Sequence, residues 1–363
     1  MRYRRLGDTG LMVSEISFGT IPVLSGSVPV LPEYFNLTDD QAVAVMDHAF
    51  RLGCNLFDTA IVPEYGDAEI KLGKFAASVG REKIIISDKA RFYDGNEMYL
   101  AALASCENLG TCPDVYFVHQ ADPAHEDEIF RAGGALDALC QLKARGKIRF
   151  TGLASHYYDI LLRGAADRRV DVLQGSGNLL ERGMLDRMRN EPLFRGKGLL
   201  INKVYAAGIL PCFFPPKTLI QAVLDYPVSS ALLGIGTLQQ ADIAMGWDTA
   251  MPHSPAPDFE QVLSVLEKDF SPVPCDRCQR CRCPYGTEIH TVFRQYNYFF
   301  LGKDHWAVRK LDMGIARSAS LCRACVDMPC LAMCPAGIRI PDVMEAAAEL
   351  VRTFQAQDLS KLD

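Results

Sequence analysis

Short apolar blocks recur along the first two-thirds of the chain, and the segments between them carry a different period. Ile16-Ser17-Phe18, Leu56-Phe57, Ile84-Ile85-Ile86 and Val115-Tyr116-Phe117-Val118 are near-continuous apolar runs. Such runs, bounded by turn residues, suit strands buried on both faces of a parallel sheet. The intervening segments repeat every three to four residues instead. Thr38-Asp39-Asp40 caps a helix reaching Leu52, with Ala42, Val45, Met46 and Ala49 on one face. The pattern predicts strands over 15–20, 55–58, 83–89, 115–119, 148–155, 170–174, 198–204 and 230–234. It predicts helices over 69–79, 97–109, 126–145, near 158–166 and over 218–225, with a leading hairpin turning at Asp8-Thr9-Gly10. Eight strands joined by right-handed crossovers close most simply into an α/β (β/α)8 TIM barrel. An open doubly wound sheet is the rival, but no G-x-G-x-x-G follows the first strand. Residues 21–36 are too long for an ordinary βα connection and read as a site wall or lid, or as a surface insertion.

The pattern stops near Asp248, and the proline-rich stretch Met251-Pro252-His253-Ser254-Pro255-Ala256-Pro257 reads as a linker. We therefore expect a barrel over 1–250 and a second, small domain over 251–363. A net charge of -6 gives no reason to expect nucleic acid or an anionic membrane as partner. No charge-free run of 18 apolar residues occurs, and Met1 to Leu6 lacks the apolar segment of a signal peptide, so a cytoplasmic location is expected. Thirteen cysteines in such a chain argue for thiols or metal ligands rather than disulfides. Five are scattered over the first 274 residues, and eight crowd between Cys275 and Cys334.

Three barrel strands end on polar residues. The strand before Asp58 leads into a loop carrying Tyr65, the next ends at Lys89, and the one after at His119. A carbonyl accepting a hydride needs a proton donor at its developing alkoxide. A tyrosine serves if a nearby cation acts on it, an acid can hold that cation, and a histidine can orient the carbonyl. Each of the four also has an ordinary structural reading, but all four at one barrel face form a proton-transfer site.

At these residues the chain resembles the aldo-keto reductase superfamily. The resemblance rests on Phe57-Asp58-Thr59-Ala60, Tyr65-Gly66-Asp67-Ala68-Glu69, Ser87-Asp88-Lys89-Ala90, Asp114 to His119 and Gly146 to His156, in family order. It implies a catalytic tetrad of Asp58, Tyr65, Lys89 and His119, with Tyr65 as general acid, and a small carbonyl or alcohol as substrate. It also implies a nicotinamide, NAD or NADP, across the barrel mouth. Ser155 and Gln174 would hold its carboxamide, His156 stands where many members have an asparagine, Gly19 and Thr20 would border it, and Gly234 and Thr237 belong to its adenine end. Two departures stand out. Tyr65 comes seven residues after Asp58, further than is usual. Gly236 occupies a position often basic for the 2′-phosphate, and Ala244 replaces an asparagine, which leaves open NAD, NADP or neither.

The tail carries two four-cysteine motifs, Cys275, Cys278, Cys281, Cys283 and Cys322, Cys325, Cys330, Cys334, each ending in Cys-Pro. Closely spaced thiolates suit iron–sulfur clusters, with zinc as the rival. The tail resembles an α-helical dicluster ferredoxin, and the whole chain resembles the reductase subgroup that carries such a domain. That implies two [4Fe–4S] clusters with crossed ligands, Cys275, Cys278, Cys281 and Cys334 for one, Cys322, Cys325, Cys330 and Cys283 for the other. Arg277, Arg280, Arg282 and Arg323 lie beside these ligands and could offset cluster charge. The clusters would be structural or would serve an electron-transfer partner protein. Two further readings remain: a cluster-dependent reductase without nicotinamide, and a non-catalytic redox-responsive binding protein.

Overall fold

The computed structural model describes residues 1–26, 36–179, 181–206, 208, 210–212, 214–246, 273, 275, 278, 280–302, 307–308, 311–312 and 321–359. The core of loop 21–36, the linker at 251–257 and Arg277 lie outside the described residues. Described residues divide into two compact units: 1–178 with 185–204 and 215–256, and 179–184 with 205–214 and 257–363. Residues 179–184 and 205–214 group with the second unit.

In the first unit a hairpin of β1 (Tyr3–Arg5) and β2 (Met12–Ser14) precedes a closed parallel barrel. The barrel strands are β3 (Ile16–Gly19), β4 (Leu56–Asp58), β5 (Ile85–Ala90), β6 (Val115–Val118), β7 (Phe150–Ala154), β8 (Val172–Ser176), β9 (Gly198–Asn202) and β10 (Ser230–Gly234). They pair in sequence order, and β10 closes on β3. All eight predicted strands are present; most begin or end a residue or two inside the predicted bounds, whereas β5 runs one residue and β8 two residues further. Leu6 and Val13 of the hairpin join Leu56, Ile85, Val115 and Val172, residues at or near strand starts, in one apolar cluster. The hairpin therefore plugs the N-terminal end and leaves the C-terminal end as the mouth.

Around the strands run α1 (Asp39–Arg51), α2 (Ala68–Val79), α3 (Gly95–Leu109), α4 (Glu126–Phe130), α5 (Ala135–Ala144), α6 (Tyr158–Ala166), α7 (Gly183–Asn190), α8 (Pro216–Leu224) and α9 (Leu238–Met245). Thr38 caps α1 with a reciprocal capping box through Gln41, and Ala42, Val45, Met46 and Ala49 are buried as the period predicts. The single helix expected over 126–145 is two. Gly133 has φ +74°, and a Cβ on Gly134 would lie 2.1 Å from the Glu128 carbonyl oxygen, so the chain breaks there. Helices α7 and α9 were not predicted. A second correction concerns Cys106 and Cys112, which are joined as a disulfide near the end of α3 and not left as thiols.

The second unit contains α10 (Ile289–Gly302), α11 (Pro329–Met333) and α12 (Ile340–Leu359). Ile289, Val292, Phe293, Ile340, Met344, Ala347 and Val351 share a core there, with Cys275, Cys281, Cys283, Cys322 and Cys334 packed at its margin. Burial of one apolar stripe per helix explains the helical character of the span after Cys283. No helix among the described residues is long and apolar enough to cross a membrane.

Candidate active site

Alternation along β5 decides which side chains enter the barrel. Ser87 and Lys89 point inward, and Asp88 between them points toward the helices. Asp58 ends β4 next door, paired in register with Ser87. Inside, Lys89 donates to Asp58 Oδ2 and to the Thr59 carbonyl oxygen at 2.7 Å. Ser87 donates to Asp58 Oδ1 at 2.6 Å, and Gln174 Nε2, from β8, reaches the same oxygen at 3.2 Å. Asp58 and Lys89 are both essentially inaccessible to water. A buried carboxylate with this many donors and a buried ammonium with two acceptors are each compensated, which is the condition for burying either. Burial works against the Lys89 charge, but Asp58 and Tyr65 outweigh it, and the pKa of the ammonium is raised.

Tyr65 ends a short 3-10 turn, Pro63–Tyr65. Its ring lies with the centroid 5.3 Å from Lys89 Nζ and 6.3 Å from the His119 ring, edge to face. Burial pushes the phenol up to about 12, against the pull of Lys89, which acts on it through charge and a side-chain hydrogen bond. His119 follows β6, and its backbone N–H is held by the Ala90 carbonyl oxygen at 2.8 Å. Burial, then the charges of Lys89, Arg91 and Lys203, lowers its pKa well below the usual range. The imidazole is thus neutral at pH 7, and its buried Nδ1 has no hydrogen-bond partner among the described residues.

The structure brings Asp58, Tyr65, Lys89 and His119 together. Among the proposed cofactor residues it gives a mixed picture. Ser155 Oγ donates to the Ala121 carbonyl oxygen at 2.6 Å and accepts from Tyr157 N at 3.0 Å, at the end of β7. His156 Nδ1 lies 3.4 Å from Ser176 Oγ. Gln174 uses its Nε2 on Asp58. Thr20 is fully buried, with N and Oγ1 both 3.0 Å from the Asp58 carbonyl oxygen, so its side chain braces β4. At the other end, Thr237 Oγ1 caps α9 by accepting from Gln240 N at 3.1 Å, and Gln240 Oε1 accepts from Gly236 N at 2.8 Å. A Cβ on Gly234 would lie 3.1 Å from Pro22 Cγ, and one on Gly236 2.9 Å from Pro22 Cβ. Pro22 therefore excludes a larger side chain, and with it a cation, at position 236.

Sequence reasoning missed Ser87, although it sits two residues before Lys89 on the same strand face. It also missed Arg91, which holds Glu64 at 3.1 Å and Gln120 Oε1 at 2.9 Å beside the tyrosine turn. In the tail, burial first, and then the neighbouring thiols, raises the pKa of Cys281 (beside Cys278, Cys334 and Cys330) and of Cys322 (beside Cys283, Cys330 and Cys325). Even so, no three His, Cys, Asp or Glu side chains among the described residues converge as a metal-holding group.

An eight-stranded parallel barrel with an acid, a lysine, a phenol and an imidazole gathered at its C-terminal mouth is the class defined by fold and site. Residues 16–210, more than half of the chain, match the Aldo/keto reductase family, and the chain belongs to it. It is 35% identical over 168 residues to an L-galactose dehydrogenase of Arabidopsis thaliana, covering 43% of this chain and 49% of the relative. It is 26% identical over 226 residues to a D-threo-aldose 1-dehydrogenase of Pseudomonas sp, covering 52% and 68%. The chain spans about half the length of most of the curated relatives it matches. Among solved structures, an aldo-keto reductase from Pseudomonas aeruginosa superposes with TM-score 0.56 at 26% identity, over 67% of this chain and 92% of that one. The fold is shared with an aldo-keto reductase from Bacillus halodurans, TM-score 0.60 at 20% identity, over 73% and 96%.

Proposed function

We propose that this protein is an oxidoreductase interconverting a small carbonyl compound and its alcohol, with Tyr65 exchanging the proton. The observation that carries this reading is the buried Asp58–Lys89 pair with the Tyr65 ring and His119 beside it. Asp58 keeps the ammonium charged and fixed, and the ammonium favours the phenolate that Tyr65 becomes once it has given its proton. His119, neutral and with a free ring nitrogen position, orients the carbonyl oxygen between itself and the phenol. The relatives' names, a dehydrogenase of L-galactose and one of aldoses among them, favour an aldehyde or an aldose as substrate.

A nicotinamide supplies or accepts the hydride in this reading. Ser155, His156 and Gln174 would offer hydroxyl, imidazole and amide groups to its carboxamide, with Ser155 Oγ hydrogen-bonded to Ala121 and Tyr157 and Gln174 Nε2 to Asp58. Tyr65→Phe assayed beside the wild type on a panel of aldehydes and aldoses tests the assignment, and equal rates in both would end it.

One observation favours a second reading, in which electrons reach the substrate without a nicotinamide. The amides at the start of α9 are capped by the chain's own Thr237 and Gln240 side chains, under Pro22. Fluorescence titration with NADH and NADPH separates the two, since tight binding of either removes it. In both readings the tail holds iron–sulfur clusters. What supports this is that seven of its eight motif cysteines act on one another through charge: Cys281 with Cys278, Cys334 and Cys330, and Cys322 and Cys330 with Cys283 and Cys325. Thiolate donors in such sets suit iron–sulfur over harder ions. Iron and sulfide quantitation after anaerobic purification, with EPR of the reduced protein, decides between cluster, zinc and free thiols.

A further inference from the structure

The tyrosine turn has to be held by something other than the strand it follows, because seven positions separate Tyr65 from Asp58. At its start the chain leans on β5: Thr59 N bonds the Ser87 carbonyl oxygen and Ile61 N the Lys89 carbonyl oxygen, both at 2.9 Å. At its end Gly66 takes φ +52° and Asp67 opens α2. Asp67 accepts from Ser25 N at 2.7 Å, across from the loop that leaves the first barrel strand.

Beneath that contact lies Lys71, one turn into α2 and wholly buried. Its ammonium donates to the Val23 carbonyl oxygen at 2.8 Å, to Ser25 Oγ at 2.6 Å and to the Leu37 carbonyl oxygen at 2.6 Å, and stands 3.4 Å from Asp67 Oδ2. Val23 and Ser25 belong to one leg of the loop after β3 and Leu37 to the other. The two legs also meet directly, through Leu37 N to the Leu24 carbonyl oxygen at 3.1 Å and Ser25 Oγ to the Leu37 carbonyl oxygen at 3.0 Å. A lysine is seldom fully buried unless its charge is compensated. Here it takes the place a bound cation would have, among two carbonyl oxygens, a hydroxyl and a carboxylate.

We propose that Lys71 is a positioning residue for Tyr65, a built-in cation that ties the base of the 24–37 loop to Asp67 and so fixes the turn carrying the phenol. This rests on the reading of Tyr65 as the acid. Lys71 lies on α2 and acts only through Asp67 and the turn before it.

The test uses the full chain with Lys71→Met, Asp67→Asn and Tyr65→Phe, each measured for kcat, KM, melting temperature and amide hydrogen exchange. Asp67 is about a third exposed, so Asp67→Asn remains informative if Lys71→Met does not fold. We expect exchange at residues 61–67 and 23–26 to quicken at least tenfold in both strap variants. We expect kcat to fall about tenfold in Asp67→Asn and further in Lys71→Met, with KM within twofold. A merely structural lysine would lower the melting temperature and leave kcat of the folded protein unchanged, which overturns the proposal. So does unchanged exchange in Asp67→Asn. Wild-type activity in Tyr65→Phe would sink the reading of the acid, while the exchange data still judge the strap.

Discussion

Replacing Asp88 by asparagine should make the protein more stable at neutral pH, although the residue is completely buried. Asp88 faces the helices behind β5. Its Oδ1 accepts from Lys89 N at 2.7 Å, and its Oδ2 has no partner among the described residues. Facing it is Glu69 of α2, also buried, with Oε2 held by Asn108 of α3 at 2.8 Å and Oε1 without a partner among the described residues. Tyr116 of β6 closes the site, bonded to Ser105 of α3 at 2.9 Å. Burial first, then the adjoining Glu69 carboxyl, raises the Asp88 pKa well above the ordinary range, against the pull of Lys89. The fold therefore keeps a proton on Asp88 that the unfolded chain releases above about pH 4. Its contribution to stability is full below that pH and is lost as pH rises toward the folded pKa. The loss is about 1.4 kcal/mol for each pH unit over which only the fold holds the proton. Asparagine has the same shape, keeps the acceptor for Lys89 N and offers Glu69 a permanent donor. We expect a gain of about 1–3 kcal/mol at pH 7, with little at pH 4. Urea unfolding of wild type and variant at several pH values reads the difference directly. A variant less stable at pH 8, or a difference that does not grow with pH, would refute the proton retained on Asp88.

Three further outcomes are expected. Tyr65→Phe should lower kcat by roughly 10²–10⁴ with a much smaller change in KM, the span of a lost general acid. Because burial and the nearby cations hold the His119 pKa well down, kcat/KM should show no acid limb between pH 6 and 8 from this residue; a limb there that His119→Asn abolishes would contradict a neutral imidazole. Gly73→Ala should destabilise by about 1–3 kcal/mol, since the new Cβ would lie 2.3 Å from the Leu109 carbonyl oxygen where α2 crosses α3; thermal melts check it.

Period carried much of the barrel in the sequence. A strand buried on both faces is an apolar run, and Ile84 to Ile86 or Val115 to Val118 can hardly be anything else. Helix α7 was illegible because Gly183 to Asn190 is mostly polar, and α9 because it is short and begins on a turn. The break at Gly133-Gly134 was visible as two glycines but was outweighed by apolar positions on either side. In the site, the four polar strand ends were readable because each stands where an apolar run stops. What holds them was not, since Lys71 and Asp88 look like ordinary helix and strand charges until the packing shows them sealed in. Cys106 and Cys112 paired because a helix end turns back on itself, a closeness that spacing alone does not announce.

The plug formed by Leu6 and Val13 gives the barrel a floor. Apolar side chains fill that end, so loosening it should cost the cohesion of the whole barrel, while the polar cluster at the opposite rim keeps its geometry until the sheet itself opens.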